Sequence, residues 1–348
     1  MQLSQLTFTR FLAAISIVIY HYGLDVFPFN LEVIKHLFSQ SYLGVSYFFV
    51  LSGFVLVIAY GNKEEIQFRN FIKRRIARIY PLYIFAIFLS VFFSLVRIDL
   101  NLIDFVLNIF MIQNWFPDKA MVINYPGWSI CAEFFFYISF PLLFNNFYNK
   151  VSLNKIIFSV VLFQLIIILV VNIYSSLYFK YLPIVHIGQF MMGNITGLIF
   201  LKKRNIDSRT WKLLLIILFT IIVIVFPFEN LKYDLGIMSI FFAVFIYLFS
   251  ENRGPIARFF KTNFLIYLGE ISYGIYILQY PVWLWSRIMF KQIYKITGIA
   301  EIPYQYIFWI NIFLLIVFSA FCYKYIEMPL RNKINKINIS SKVILSNK

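Results

Sequence analysis

Residues 5–24 read QLTFTRFLAAISIVIYHYGL, a stretch whose only acidic or basic side chains are Arg10 and His21. Twenty residues at about 1.5 Å each cross a hydrocarbon layer of about 30 Å, so this is a helix of membrane length. No basic region or small-x-small cleavage site marks it as a signal peptide, and it is expected to stay as an anchor. The rest of the chain is built in the same way. Of 348 residues, 61% are hydrophobic and 13% charged, with a mean hydropathy of +0.79. A soluble domain is about half apolar and a quarter charged, so the composition excludes a single globular core. The aromatic share of 21%, with 43 Phe and 24 Tyr, suits lipid-facing surfaces and interfacial belts.

Ten such segments are expected, at 5–24, 42–61, 79–98, 128–147, 155–174, 183–201, 211–228, 233–250, 267–289 and 304–326. LIDFVLNIFMIQNWF (102–116) is shorter and holds Asp104 and Asn108, which points to an interfacial or re-entrant helix. The loops test this count. With the N-terminus in the cytoplasm, the inner loops and tail carry 21 Lys and Arg, among them Lys63, Lys73, Arg74, Lys203, Arg204, Arg253 and Lys342. The outer loops carry six, Lys35, Lys119, Lys180, Lys232, Lys291 and Lys295. That is the positive-inside pattern, and it places both termini in the cytoplasm. It also accounts for most of the net charge of +16 as topology, leaving no case for a nucleic-acid partner. Cys131 and Cys322 fall in apolar segments and read as buried free thiols. The expectation is an all-α polytopic bundle of about ten spans over residues 1–330, with a basic cytoplasmic tail at 331–348.

Arg10 and His21 are eleven positions apart, about three turns, which puts them on one helix face about 16 Å apart along the axis. A charge at mid-membrane costs about 2.5–3.5 kcal/mol; Arg10 can reduce this by snorkelling inward, and His21 by staying neutral. A histidine bonded to a neighbouring helix for structure alone is the plain alternative. GWSICAEFFFYISFP (127–141) runs inward and sets Glu133 about one and a half turns below the outer surface, near the depth expected for His21. Tyr137 follows four residues later on the same face. A His21–Glu133 pair would orient the imidazole for proton abstraction from a hydroxyl; a structural ion pair or a protonated acid is the other reading.

FIKRRIARIYPLY (71–83) places Lys73, Arg74, Arg75 and Arg78 before Pro81, read as the start of the third span. If the helix begins early, Arg75 and Arg78 share a face and form a fork suited to phosphates; topogenic charge alone is the alternative. In YLGEISYGIYILQYPVWLW (267–285), Glu270, Ser272, Tyr273, Tyr276 and Gln279 are more polar groups than lipid contact needs. They could line a cavity, with Trp128 and Tyr137, or bridge helices. Ser52-Gly53 within FFVLSGFVL (48–56) reads as close helix packing, and Glu327 in YIEMPLR (325–331) as the partner of an inner-loop arginine. His36 and His186 lack ligand spacing, so no metal site is expected. A phosphate-seeking cluster inside and a candidate base near the outside suit a cytosolic phosphorylated donor and an exterior acceptor.

Taken in order, Arg10-x10-His21, FFVLSGFVL, Arg75-x2-Arg78, GWSICAEFFFY, LGEISYGIYILQYP and YIEMPLR span nearly the whole chain, and together they resemble the acyltransferase-3 family of integral membrane acyltransferases. The resemblance implies transfer of an acyl group, usually acetyl from acetyl-CoA, to a hydroxyl of a cell-surface or exported glycan or glycolipid. It implies no permanently bound cofactor, and a place in the cytoplasmic (inner) membrane. Carried over, His21 is the catalytic histidine, Arg10 its motif partner, Arg75 and Arg78 the donor-handling pair, and Glu133 the acidic residue of the Trp-Ser-Glu segment. Many members have histidine where Gln279 stands, and some carry an extracytoplasmic hydrolase-like domain; the expectation here is the stand-alone form without it. His21 would either deprotonate the acceptor directly or carry the acyl group. A proton-coupled transporter or flippase of a glycan or lipid precursor is the reading from another class, since an intramembrane His and Glu also suit a proton relay. A polymerase or ligase acting on lipid-linked glycans is the third.

Overall fold

Each segment expected to cross the bilayer carries a helix in the computed structural model, which describes residues 3–97, 101–173, 177–202, 210–225, 235–298 and 301–337. In chain order the helices are α1 (Gln5–Tyr22), α2 (Glu32–Ser39), α3 (Gly44–Tyr60), α4 (Phe68–Arg97) and α5 (Leu102–Ile109). They continue with α6 (Gly127–Leu143), α7 (Leu153–Ile173), α8 (Leu177–Lys180), α9 (Pro183–Lys202) and α10 (Thr210–Val225). The last five are α11 (Ser239–Glu251), α12 (Pro255–Phe260), α13 (Asn263–Thr297), α14 (Tyr304–Cys322) and α15 (Met328–Lys336). No strand occurs among the described residues, and six helices there are long and apolar enough to cross a membrane. The ends expected near residues 98, 174 and 228, the start near 233, and the basic residues Lys203, Arg204, Arg209, Lys232, Lys342 and Lys348 lie outside the described residues.

Two helices outrun their expected bounds. α4 begins at Phe68 instead of residue 79, so Arg75 and Arg78 lie within it and Pro81 is interior. A proline inside a helix removes one backbone hydrogen bond, a loss that packed membrane bundles tolerate because neighbouring groups compensate. α13 continues past residue 289 and stops at Gly298, whose φ of +68° is the left-handed conformation that ends helices at glycine. The tail boundary expected at 330 falls inside α15. Its end is tied to α4 by Lys73 Nζ, which donates to the carbonyls of Asn335 (3.2 Å) and Ile337 (2.7 Å).

The bundle is drawn together where glycine lets backbones touch. A Cβ on Gly53 of α3 would stand 2.1 Å from the Phe190 carbonyl oxygen, and one on Gly193 of α9 would stand 1.9 Å from that of Val50. Gly193 and Gly197 form the G-x3-G spacing of closely crossing membrane helices, so Ser52-Gly53 does mark close packing. Around this crossing sit Phe54, Phe136, Phe140 and Phe190, all fully buried. By contrast Leu165, Ile166, Leu169 and Ile173 of α7 and Leu214, Leu218 and Phe219 of α10 are exposed. Outward-facing apolar stripes on long apolar helices are the surface of an integral membrane protein.

Residues 101–126 are pinned against the bundle end that carries the last turn of α1. Tyr83 Oη donates to the Asn108 carbonyl (3.0 Å), Asn114 Nδ2 to the carbonyls of Trp128 (2.7 Å) and Tyr181 (3.0 Å), and Asn124 Nδ2 to that of Ile277 (3.1 Å). The eight-residue α5 is too short to cross. At the opposite end the first turns of α1, α4 and α13 meet the last turns of α3 and α14, the arrangement that alternating antiparallel helices produce.

Candidate functional site

A cavity of about 430 Å³ opens between α1, α3, α4, α6, α13 and the α14–α15 junction. Eight of the residues singled out in the sequence line it: Arg10, Arg75, Arg78, Glu133, Tyr137, Ser272, Tyr273 and Tyr276. The early start of α4 makes this possible, because Arg75 and Arg78 then lie one turn apart on a single face. The Arg75 guanidinium lies over the rings of Phe71 (5.5 Å) and Tyr137 (5.8 Å), and its buried Nε has no hydrogen-bond partner. Among the described residues, neither Arg10, Arg75 nor Arg78 has a carboxylate oxygen within 4.0 Å. Three guanidiniums thus line one cavity with no carboxylate within 4.0 Å, a cationic wall whose forked donors suit carboxylate or phosphate oxygens.

Carboxylates are present, but they are engaged elsewhere. Glu133 Oε1 accepts from Ser52 Oγ (2.7 Å) and Tyr137 Oη (2.5 Å). Glu270 Oε2 accepts from Tyr323 Oη (2.9 Å). Glu327 is buried, with Oε1 4.0 Å from Arg331 Nη1 and with Arg78 and Arg10 close enough to act on its charge. Ser52, Glu270, Tyr323, Glu327 and Arg331 all line the cavity. Ser52 gave one signal in the sequence, a hydroxyl inside a run of large apolar residues, and packing was only part of its meaning.

His21 does not line the cavity. Its Nδ1 lies 2.7 Å from Gln279 Oε1, and Gln279 Nε2 donates to the Tyr276 carbonyl (2.7 Å). The Tyr276 ring in turn forms the cavity wall, with its hydroxyl 2.8 Å from Ser129 Oγ. One turn of α13 thus joins the arginine cavity to the imidazole. The expected His21–Glu133 pair does not form. The depth of Glu133 was counted from the start of α6 as if that lay at the surface. Gly127 is buried beneath residues 101–126, whose Asn114 and Asn124 are themselves buried, so α6 starts deeper and Glu133 joins the arginines in lining the cavity. Trp128 also lies off the cavity, against the His186 ring (5.3 Å) and the Tyr181 ring (5.3 Å).

Around His21 the bundle end is aromatic. The Tyr125 ring meets the imidazole edge to face at 4.8 Å, and Tyr22 stacks on Trp283 at 4.2 Å and 11°. Tyr125 Oη donates to Tyr22 Oη (2.6 Å), and burial pushes the Tyr125 phenol above its ordinary value, so it stays a neutral donor. The second ring nitrogen of His21 has no hydrogen-bond partner among the described residues. Chemically, the site offers an anion cradle, a wall one helical turn thick, and an imidazole with one nitrogen free to take a proton.

A family model described as an acyltransferase domain matches residues 3–326. The O-acetyltransferase OatA of Staphylococcus aureus is 28% identical over 351 aligned positions, which take in 89% of this chain and 57% of OatA. The acyltransferase MdmB of Streptomyces mycarofaciens is 32% identical over 155 positions, 41% of this chain and 40% of MdmB. The chain spans little more than half the length of the OatA relatives it matches. No solved structure matches it.

Proposed function

The chain belongs to the acyltransferase family whose domain model covers residues 3–326, and on that premise we propose that it moves an acetyl group from cytosolic acetyl-CoA to a hydroxyl of a cell-surface or exported glycan or glycolipid. The observation that carries this reading is the set of three guanidiniums without carboxylate partners, lining one cavity that ends a single turn of α13 from His21. The protein sits in the cytoplasmic membrane with about ten spans and both termini inside, so that Arg10, Arg75 and Arg78 face the cytosolic donor. Its acyltransferase domain takes in residues 1–330, and the basic tail follows.

The arginines bind the donor phosphates through forked, charge-assisted hydrogen bonds. The donor's acyl arm passes the Tyr276–Ser129 contact and brings its thioester carbonyl to the free nitrogen of His21. That nitrogen takes the proton of the acceptor hydroxyl as the oxygen attacks the carbonyl carbon. The carbon–oxygen bond forms, the carbon–sulfur bond breaks, and the imidazolium returns the proton to the departing thiolate. Glu133, held by Ser52 and Tyr137, offsets part of the positive charge of the cradle and handles no proton on the ring. OatA's name as an O-acetyltransferase supports the choice of acetyl and of an oxygen acceptor.

The test is purified protein in lipid vesicles, supplied with radiolabelled acetyl-CoA and a glycan acceptor. General-base assistance is worth about 10²–10⁴ in rate, and His21→Ala is expected to lose a factor of that order while remaining folded and inserted. Near-normal acyl transfer by that variant overturns the reading. Glycan movement across the vesicle without acyl incorporation assigns the protein to carriers instead.

A further inference from the structure

Resting on the reading of His21 as the base, we propose that Gln279 is a positioning residue that accepts the Nδ1 proton of His21 and so keeps the lone pair on Nε2, the nitrogen that meets the acceptor hydroxyl. The orientation of one amide decides the tautomer. A glutamine can present either its oxygen or its nitrogen to an imidazole, and at that contact alone the two are equivalent. Gln279 is fully buried, and its other amide atom lies 2.7 Å from the Tyr276 carbonyl oxygen. Only an N–H group can meet a carbonyl at that distance, so the nitrogen points to Tyr276 and the oxygen to His21. A ring nitrogen 2.7 Å from an amide oxygen must carry the proton. In the neutral ring Nε2 is then bare, and it has no partner among the described residues.

The second buried histidine is the opposite case. His186 Nε2 lies 2.7 Å from the Lys180 carbonyl and must be protonated there, which leaves Nδ1 to accept from Gln189 Nε2 at 3.1 Å. In their neutral forms the two imidazoles would thus take opposite tautomers, each set by a backbone carbonyl. At His21 the choice is relayed through Gln279, and an uncharged acceptor does this without adding a negative charge that would favour the imidazolium before the hydroxyl arrives. The helical geometry supports the relay, because Gln279 and Tyr276 are three residues apart in α13, and Tyr276 is itself fixed through Ser129 of α6.

The experiment is nitrogen-15 spectroscopy of histidine-labelled protein in lipid, where only three imidazoles report. His21 is assigned by its loss in His21→Ala. The expected result is Nδ1–H for His21 and Nε2–H for His186 in the same sample. Gln279→Leu, which fills the space but offers no acceptor, is expected to abolish the single-tautomer signal of His21. It should lower kcat by about tenfold, the worth of one hydrogen bond, with KM for acetyl-CoA within about twofold of the parent. Gln279→Glu keeps an acceptor oxygen but adds the negative charge, and should retain the Nδ1–H form while moving the pH–rate profile to higher pH, because the imidazolium is then favoured. An Nε2–H signal for His21 in the parent protein overturns the proposal even if Gln279→Leu does not fold. So does a Gln279→Leu variant with unchanged tautomer and unchanged kcat. Retained transfer in His21→Ala overturns the base reading itself, whatever the tautomer, so the two failures are told apart.

Discussion

Arg75 shows how a residue acquires a task from what its neighbours decline to do. Its guanidinium rests on two aromatic faces, its Nε is unpartnered, and of the cavity's carboxylates Glu133 and Glu270 accept from hydroxyls while Glu327 lies 4.0 Å from Arg331. A half-buried cation in that position gains most from an anion brought by a ligand. Arg75→Ala should therefore raise KM for acetyl-CoA about tenfold or more while changing kcat far less, because a charge-assisted hydrogen bond is worth about 1.5–3 kcal/mol. Arg75→Lys should recover only part of the loss, since an ammonium cannot form the two parallel bonds of the fork. Initial-rate kinetics across donor concentrations separate these outcomes, and an unchanged KM in Arg75→Ala would remove the residue from donor binding. Arg75, Arg78 and Arg10 were legible in the sequence because charge inside an apolar chain has to be accounted for. Gln279 was legible only as one polar group among several. Its partner lies 258 positions away, and a neutral amide leaves no trace in charge or spacing.

At the scale of elements, the helices were legible from apolar length alone, and what escaped was where they begin relative to one another. α4 starts a full three turns earlier than its apolar run because Phe71 and Ala77, both buried, continue the packed face between the cationic residues. The cationic face then becomes part of the cavity instead of a loop. α6 starts lower than its first residue suggested because polar groups of residues 101–126 fill the space above it, and that shift separates Glu133 from His21. A depth count along one helix cannot register a neighbour that buries its end. The crossing of α3 and α9 is the element-level contact that holds Ser52, and through it Glu133, in place. Gly193→Ala would drive a Cβ to 1.9 Å from the Val50 carbonyl, closer than any relaxation of a flexible side chain could relieve. Overpacking of this kind costs about 1–3 kcal/mol. The variant should show a lower thermal unfolding midpoint in detergent than the parent, with transfer activity falling as the α3–α9 register shifts. A midpoint equal to the parent's would mean that the crossing is slack.

Across the whole molecule the two chemical groups lie at different ends of one bundle, and that separation is what a reaction between compartments requires. The cradle is built from residues of α1, α3, α4, α6, α13 and the α14–α15 junction, whereas His21 stands among aromatic residues near the layer formed by residues 101–126. Under the proposed topology the cradle faces the cytoplasm, the side on which the loop charges concentrate. The arrangement can be tested by labelling from outside and inside. Arg74, near the cradle, and Asp118, in the layer over the opposite end, are both exposed, whereas Cys131 and Cys322 are buried and give no background. In cells or sealed vesicles of known orientation, a membrane-impermeant maleimide should reach Arg74→Cys only from the cytoplasmic face and Asp118→Cys only from the exterior. Saturating acetyl-CoA should slow the first reaction, because the donor phosphates occupy the neighbouring cavity, and leave the second unaffected. If both positions label from the same face, the bundle does not carry its donor cradle and its imidazole toward opposite sides of the membrane, and a direct transfer from cytosolic donor to exterior acceptor has no path through it.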